Sequence, residues 1–257
     1  MKKGVIALGI LWFTLSSLSL SAAYIYDKGT PDFMILGVTK CGTSSLYSYL
    51  VKHPKILGAV KKELHFFDTG RFGKGLASYR QLFPKKNSRD ELIGEGTPGY
   101  FWKKPCARRI FEYCPTTKFI VIFRNPVKRV ISEYFRLKRR GEETLDFDQA
   151  ILQPGMQGRY IGAGLYIEHL ERWLSLFPRK QFLVLILEDM AQNPEQEVNK
   201  VFKFLGLKER KLDSYEIVKQ AKYNMKKIKP ETIEELKNFY EPYNKRLEKF
   251  LGRKLPW

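Results

Sequence analysis

The sequence predicts an α/β fold: a single domain, residues 30–257, built on a parallel β-sheet flanked by helices on both faces, with a phosphate-type loop after its first strand. Three observations carry this. Short apolar runs alternate with amphipathic stretches of helical length from Phe33 to the C-terminus. The run FIVIF, Phe119–Phe123, is apolar throughout, as a strand covered on both faces requires. The stretch ILGVTKCGTSSL, Ile35–Leu46, is an apolar run feeding a glycine turn that opens a helix.

Taken in order, the chain begins with residues 1–29, an apolar leader and short linker. Residues 2–25 hold no acid and, after Lys3, no charge, over a length close to the roughly 20 residues that span a bilayer. Two lysines precede the run, which orients it with the N-terminus in the cytoplasm and the remainder translocated. It reads either as a signal peptide cut near Ser21-Ala22-Ala23 or as a retained signal anchor. The protein is therefore expected as a single-pass type II membrane protein with the remainder of the chain lumenal, or as an exported or periplasmic one.

Strands are expected over Phe33–Val38, Leu92–Glu95, Lys118–Phe123 and Phe182–Leu187. Between them, helical patterns cover Ser44–Val51, Ala107–Tyr113, Val127–Lys138, Gly164–Phe177 and Glu195–Leu205. The last helix starts with Pro230 in its first turn, places Glu231, Glu234 and Glu235 near its positive end, and buries a stripe of Ile233, Leu236, Tyr240, Tyr243, Leu247 and Phe250.

Composition bounds the chemistry. An apolar content of 44% over 257 residues supports a sizeable core and excludes a disordered chain. A formal charge of +19 attracts anions: nucleotides, acidic glycans, nucleic acid or anionic lipid. No nucleic-acid motif accompanies that charge, so no nucleic-acid partner is expected. Three cysteines make no disulfide scaffold, and no Cys/His set has metal-ligand spacing, so no metal is expected. On one straight helix Cys106 and Cys114 would stand about 12 Å apart, too far to bridge; a helix ending before Cys114 would permit it.

The loop departs from the nucleotide-triphosphatase pattern. Gly37 is followed by Gly42, then Thr43 and Ser44, and the lysine, Lys40, comes two residues before the second glycine. A strand, turn and helix start of this kind aim N–H groups at an anion, over which Lys40 can reach. In IFRNPVKRVISEY, Ile122–Tyr134, Arg124 sits at a strand's carboxyl end, where open α/β sheets bind ligands and an arginine fork suits a phosphate. Ser132 can add a hydroxyl to that phosphate, or be an ordinary helix serine. In KKELHFFD, Glu63 lies beside Lys61 and Lys62 and stays ionised, either to take a proton from an acceptor hydroxyl or as part of a solvated charge run. His65 is a competing base or a packed structural histidine.

Taken together, GVTKCGTSSLYSYLVKHP, KELHFFD, EGTPGYF, FRNPVKRVISEY, GLYIEHLERWLSLFP, FLVLILED and FKFLGL resemble, in order and spacing, the sulfotransferases that use 3′-phosphoadenosine 5′-phosphosulfate. The nearest likeness is to the Golgi heparan sulfate and carbohydrate enzymes and their bacterial relatives, from about Pro31 to Trp257. The resemblance implies a metal-independent sulfuryl transfer to a hydroxyl, less readily an amine, of an anionic or neutral glycan. It implies Lys40 and Glu63 as catalytic residues, the latter as general base. It further implies Lys40, Cys41, Gly42, Thr43, Ser44 and Ser45 as the donor's phosphosulfate loop and Arg124 and Ser132 at its 3′-phosphate. Lys222, Lys226 and Lys227 are then candidates for further donor contacts, and Glu95, Thr97, Tyr100 and Lys103 for the acceptor side.

Two departures stand out. Gly96 occupies a position where related glycan enzymes carry lysine, which leaves Lys103 or Lys104 to replace that contact or the acceptor to differ. The segment Lys222–Lys229 has no cysteine, unlike the disulfide-closed loop of the heparan enzymes. A small-molecule kinase, the competing enzyme reading, would put a lysine directly after Gly42, where Thr43 stands. A non-catalytic basic glycan-binding module would explain the charge but not the ordered motifs.

Overall fold

Five parallel strands, β1 (Phe33–Gly37), β2 (Ile56–Gly58), β3 (Leu92–Gly96), β4 (Lys118–Phe123) and β5 (Phe182–Ile186), form one sheet in the order β2-β3-β1-β4-β5. They belong to a computed structural model that describes residues 30–257 apart from 154, 156, 217–222 and 226–227. The apolar leader, residues 1–29, and the candidate lysines Lys222, Lys226 and Lys227 lie outside the described residues. Among the described residues no helix is long and apolar enough to cross a membrane.

The helices are α1 (Thr43–Leu50), α2 (Gly75–Arg80), α3 (Lys104–Tyr113), α4 (Pro126–Arg139), α5 (Phe147–Leu152), α6 (Gln157–Tyr160), α7 (Tyr166–Leu174), α8 (Leu187–Gln192), α9 (Pro194–Leu205) and α10 (Pro230–Leu251). Parallel neighbours require crossover connections, and these are right-handed. From the central β1 the chain leaves toward β2, whereas from β4 it leaves in the opposite direction toward β5. Right-handed crossovers running opposite ways put their helices on opposite faces, so the sheet is covered on both sides. The central strands show the consequence: every residue of β1 is buried, and so is β4 from Phe119 to Phe123.

Because β1 and β4 are neighbours whose connections diverge, a crevice opens between their carboxyl ends. Everything below concerns that crevice.

All four expected strands and six expected helices are present, most with ends shifted by one or two residues. Helices α3, α4 and α9 open with Pro105, Pro126 and Pro194 in their first turn, one to three residues ahead of the expected starts. The helix expected over Gly164–Phe177 is confined to Tyr166–Leu174, preceded by a 3₁₀ turn at Gly162–Gly164. The Tyr240 ring of α10 packs against Gly164 and its hydroxyl donates to the Ile161 carbonyl at 2.7 Å, so that turn is set by a helix some 76 residues on, counting Gly164 to Tyr240. Strand β2 and helices α2, α5, α6 and α8 were not expected. Each has six residues or fewer, too short to carry a periodic signal and held by packing rather than propensity. Cys106 and Cys114 are both free and buried: α3 ends at Tyr113 with Cys114 as its cap, and no bridge forms.

Candidate functional site

The loop after β1 is a tight turn. Val38 donates to the Ile122 carbonyl of β4 at 3.0 Å, and the Cys41 N–H folds back to the Val38 carbonyl at 3.1 Å. Lys40 and Gly42 both adopt left-handed backbone, with φ of 72° and 84°. Gly42 has a second constraint: a Cβ there would come within 2.6 Å of Leu187. The turn delivers the chain into α1, whose first residues, Thr43, Ser44 and Ser45, line a cavity of about 1100 Å³ with the positive end of the helix toward it.

Lys40 and Arg124 line this same cavity. Arg124, just past the end of β4, donates from Nη1 to the Lys40 carbonyl at 3.1 Å, which ties the two loops together. Tyr166 closes the tie from below: its hydroxyl donates to the Arg124 carbonyl at 2.9 Å and lies 3.7 Å from Cys41 Sγ. Burial lowers the Lys40 ammonium below its ordinary range; Glu133 opposes this, and Arg136, Arg139 and Arg124 add to it. Ser132 Oγ lies 2.7 Å from the hydroxyl of Tyr223, whose ring stacks on Phe135.

One side of the cavity carries Glu63, His65 and Asp68. The Glu63 N–H donates to the Gly96 carbonyl at the end of β3, and the Phe66 and Phe67 N–H groups donate to the Tyr100 hydroxyl at 2.9 and 3.4 Å. Glu63 and His65 hold left-handed backbone at φ 65° and 50°, an uncommon conformation for non-glycine residues that clusters at functional sites. His65 sits between two carboxylates, with Nδ1 2.9 Å from Asp68 Oδ2 and Nε2 3.6 Å from Glu63 Oε2. Lys62 pairs with Glu63 and Lys103 with Asp68, each at 2.8 Å.

The pairing moves both titrations. The hydrogen bond with His65, reinforced by the Lys62 charge, holds the Glu63 carboxyl down at about 2 against the opposing effect of burial. Hydrogen bonds to Asp68 and then to Glu63 raise the His65 imidazole to about 9. A raised histidine contributes stability that is complete below its ordinary 6.5 and lost as pH rises through about 9. A depressed carboxyl contributes above its ordinary 4.5 and loses that contribution as pH falls toward about 2. Melting curves of wild type and His65→Gln should therefore differ most between pH 4.5 and 6.5 and converge toward pH 9. The difference is expected to be small, because both side chains are about two-fifths exposed and solvent screens the pair.

The acceptor-side residues expected from EGTPGYF separate. Lys103 lines the cavity. Glu95, Thr97 and Tyr100 do not: all three are fully buried beneath it, a correction to the sequence-based expectation. Glu95 accepts hydrogen bonds from Tyr79 and Thr97, and burial pushes its carboxyl up to about 7. Tyr100 is spent on holding the Phe66–Phe67 turn. The stretch after β3 reaches the cavity through Pro98, Gly99, Trp102 and Lys103, whereas Glu95, Thr97 and Tyr100 turn into the buried interior and bond there. Cys41 is likewise buried, with its thiol toward Tyr166 and its N–H committed to Val38, so within the loop it shapes the turn and presents no group to the cavity.

The residues that sequence reasoning missed are a basic wall. Glu133, buried on α4, accepts two bonds from Arg136 at 2.9 Å and one from Arg159 Nε at 2.8 Å; Arg139 and Arg140 complete the lining. Burial disfavours the Glu133 charge, yet the arginines hold its carboxyl at about 2. The i,i+3 spacing of Glu133 and Arg136 is legible in the sequence, but Arg159 arrives from α6 and carries no such signal. At another side of the cavity Leu187, Met190 and Ala191 supply apolar surface, and Tyr49 and Tyr215 pack edge to face at 5.4 Å.

This geometry can hold a polyanion on a loop lysine and an arginine, in a cavity that Glu63, His65 and Asp68 also line. Known proteins resemble the chain. The chain is 33% identical over 259 residues to heparan sulfate glucosamine 3-O-sulfotransferase 3B1 of Mus musculus, an alignment covering 90% of this chain and 66% of the mouse protein, so that it spans about two thirds of that relative. It is 31% identical over 254 residues to heparan sulfate glucosamine 3-O-sulfotransferase 6 of Homo sapiens, covering 88% and 73%. The crystal structure of a sulfotransferase from Alicyclobacillus acidocaldarius superposes with a TM-score of 0.75 at 31% identity, over 88% of this chain and 97% of that one. Residues 30–254 match the sulfotransferase domain, and the chain belongs to the sulfotransferase family.

Proposed function

We propose that the protein transfers the sulfuryl group of 3′-phosphoadenosine 5′-phosphosulfate to a hydroxyl of an acidic sugar. The observation that carries the reading is that Lys40 and Arg124, from two loops at adjacent strand ends, line one cavity with Glu63. The donor supplies an activated sulfur whose leaving group is a phosphate. The helix start at Thr43–Ser45 and the Lys40 ammonium take the 5′ end, where charge develops as the sulfur–oxygen bond to that phosphate breaks. Arg124 and Ser132 take the 3′-phosphate, and the apolar surface of Leu187 and Met190 with the nearby tyrosines suits the purine.

Glu63 accepts the proton of the acceptor hydroxyl as its oxygen bonds sulfur, and adenosine 3′,5′-bisphosphate departs. His65 and Asp68 hold that carboxylate in orientation, and a base so placed contributes typically about 10²–10⁴-fold. A lysine on the loop does the charge neutralisation that phosphoryl transfer assigns to magnesium. The basic wall of Arg136, Arg139, Arg140 and Arg159 supports an anionic rather than a neutral glycan. The heparan sulfate named for the relatives fits that class. The apolar leader supports a lumenal or exported location.

Adenosine 3′,5′-bisphosphate is expected to raise the melting temperature in the presence of a chelator, since a ligand bound only by the folded state stabilises it. Transfer of labelled sulfate is then expected to favour acidic glycans over neutral sugars, simple alcohols, amines and tyrosine peptides. No shift in melting with the bisphosphate would sink the donor reading; equal transfer to neutral sugars would sink the acceptor reading alone.

A further inference from the structure

Arg129 is fully buried on α4, one helical turn before Ser132 and Glu133, both of which line the cavity. Its Nη2 donates to the Arg159 carbonyl at 3.3 Å. Among the described residues, Nε and Nη1 have no hydrogen-bond partner. Glu133, one turn away, feels its charge but spends its hydrogen bonds on Arg136 and Arg159 and makes none to Arg129, so its single negative charge is shared among three guanidinium groups. The other groups that feel its charge are neutral: burial pushes the Cys41 thiol up to about 11, drives His169 down to about 4, and raises Tyr166 and Tyr240. Among the described residues Arg129 is thus a buried guanidinium with no direct ion pair of its own and two N–H groups unbonded, an arrangement that folding disfavours.

The position of that charge suggests what compensates it. Cys41 belongs to the phosphate loop and Ser132 lies on the 3′-phosphate side, so Arg129 lies beneath the part of the cavity assigned to the donor. We propose that Arg129 is a positioning residue for the donor: it touches no ligand, but holds the floor of the phosphate site at a positive potential that the bound bisphosphate neutralises. The inference rests on the donor reading above. A simple structural role, propping the Arg159 carbonyl, needs one N–H and makes the opposite forecast for the unliganded protein.

The test uses the full chain as wild type, Arg129→Met and Arg129→Lys, with melting measured without ligand and affinities for adenosine 3′,5′-bisphosphate and adenosine 5′-phosphate measured by calorimetry at low and high salt. Arg129→Met should melt at or above wild type, because it removes an unpaired charge, yet bind the bisphosphate about tenfold more weakly at low salt. The loss should be smaller for the 5′-phosphate, which lacks the group nearest Ser132. Arg129→Lys, which keeps the charge and gives up the fork, should stay within about threefold of wild type. An Arg129→Met protein that fails to fold, or that melts lower with unchanged affinity, overturns the proposal; so does a tenfold loss in Arg129→Lys. A wild type that binds neither nucleotide removes the donor reading itself, whereas a binding wild type matched by Arg129→Met removes only this inference.

Discussion

Glu63→Gln is expected to lower turnover by about 10²–10⁴-fold while leaving the affinity for adenosine 3′,5′-bisphosphate near that of wild type. The substitution keeps the size and one carbonyl oxygen but removes the basic site that takes the acceptor's proton. Donor binding should survive because the groups assigned to it, Lys40, Arg124 and Ser132, stand on other elements, β1–α1 and β4–α4. A second signature follows from the pairing with His65. Hydrogen bonding to Glu63 is among the causes that raise the imidazole to about 9, so the variant should show that titration moved toward the ordinary 6.5. Single-turnover rates, bisphosphate calorimetry and the histidine NMR titration read the three effects separately. Equal losses of affinity and turnover would mean that Glu63 shapes the cavity and is not the base.

Arg124→Ala is expected to do the reverse: bisphosphate affinity falls by about 10²-fold, as loss of a bidentate charge-assisted contact implies, while turnover at saturating donor falls much less. Arg124 also bonds the Lys40 carbonyl, so some of the loss should appear as a looser loop. Arg124→Lys separates these contributions, since an ammonium restores charge but not the fork. Recovery of most affinity in Arg124→Lys would show that charge alone matters at this position. A bisphosphate affinity unchanged in Arg124→Ala would place the 3′-phosphate elsewhere.

Legibility in the sequence followed length and burial. Strand β4, apolar from Phe119 to Phe123, and the 22-residue α10 are plain, because one is covered on both faces and the other repeats its apolar stripe for six turns. The three-residue edge strand β2 and the six-residue α8 are not, because each depends on neighbours far along the chain. The same split runs through the site. Lys40 and Arg124 stand out as residues just past the ends of strands, and Glu63 only through the family resemblance. Glu95, an equally plausible carboxylate by sequence, is fully buried, bonded to Tyr79 and Thr97, and pushed up to about 7.

By itself, then, the sequence determined four of the sheet's five strands, the loop with its displaced lysine, and the family resemblance, since hydrophobic period and turn chemistry are local properties. Only the tertiary structure decided which carboxylate faces the cavity, that His65 bridges Glu63 and Asp68, and that Arg159 joins Arg136 on Glu133. Those depend on which way side chains from distant segments point. In a sheet buried on both faces, that direction separates a group in solvent from one sealed beneath it.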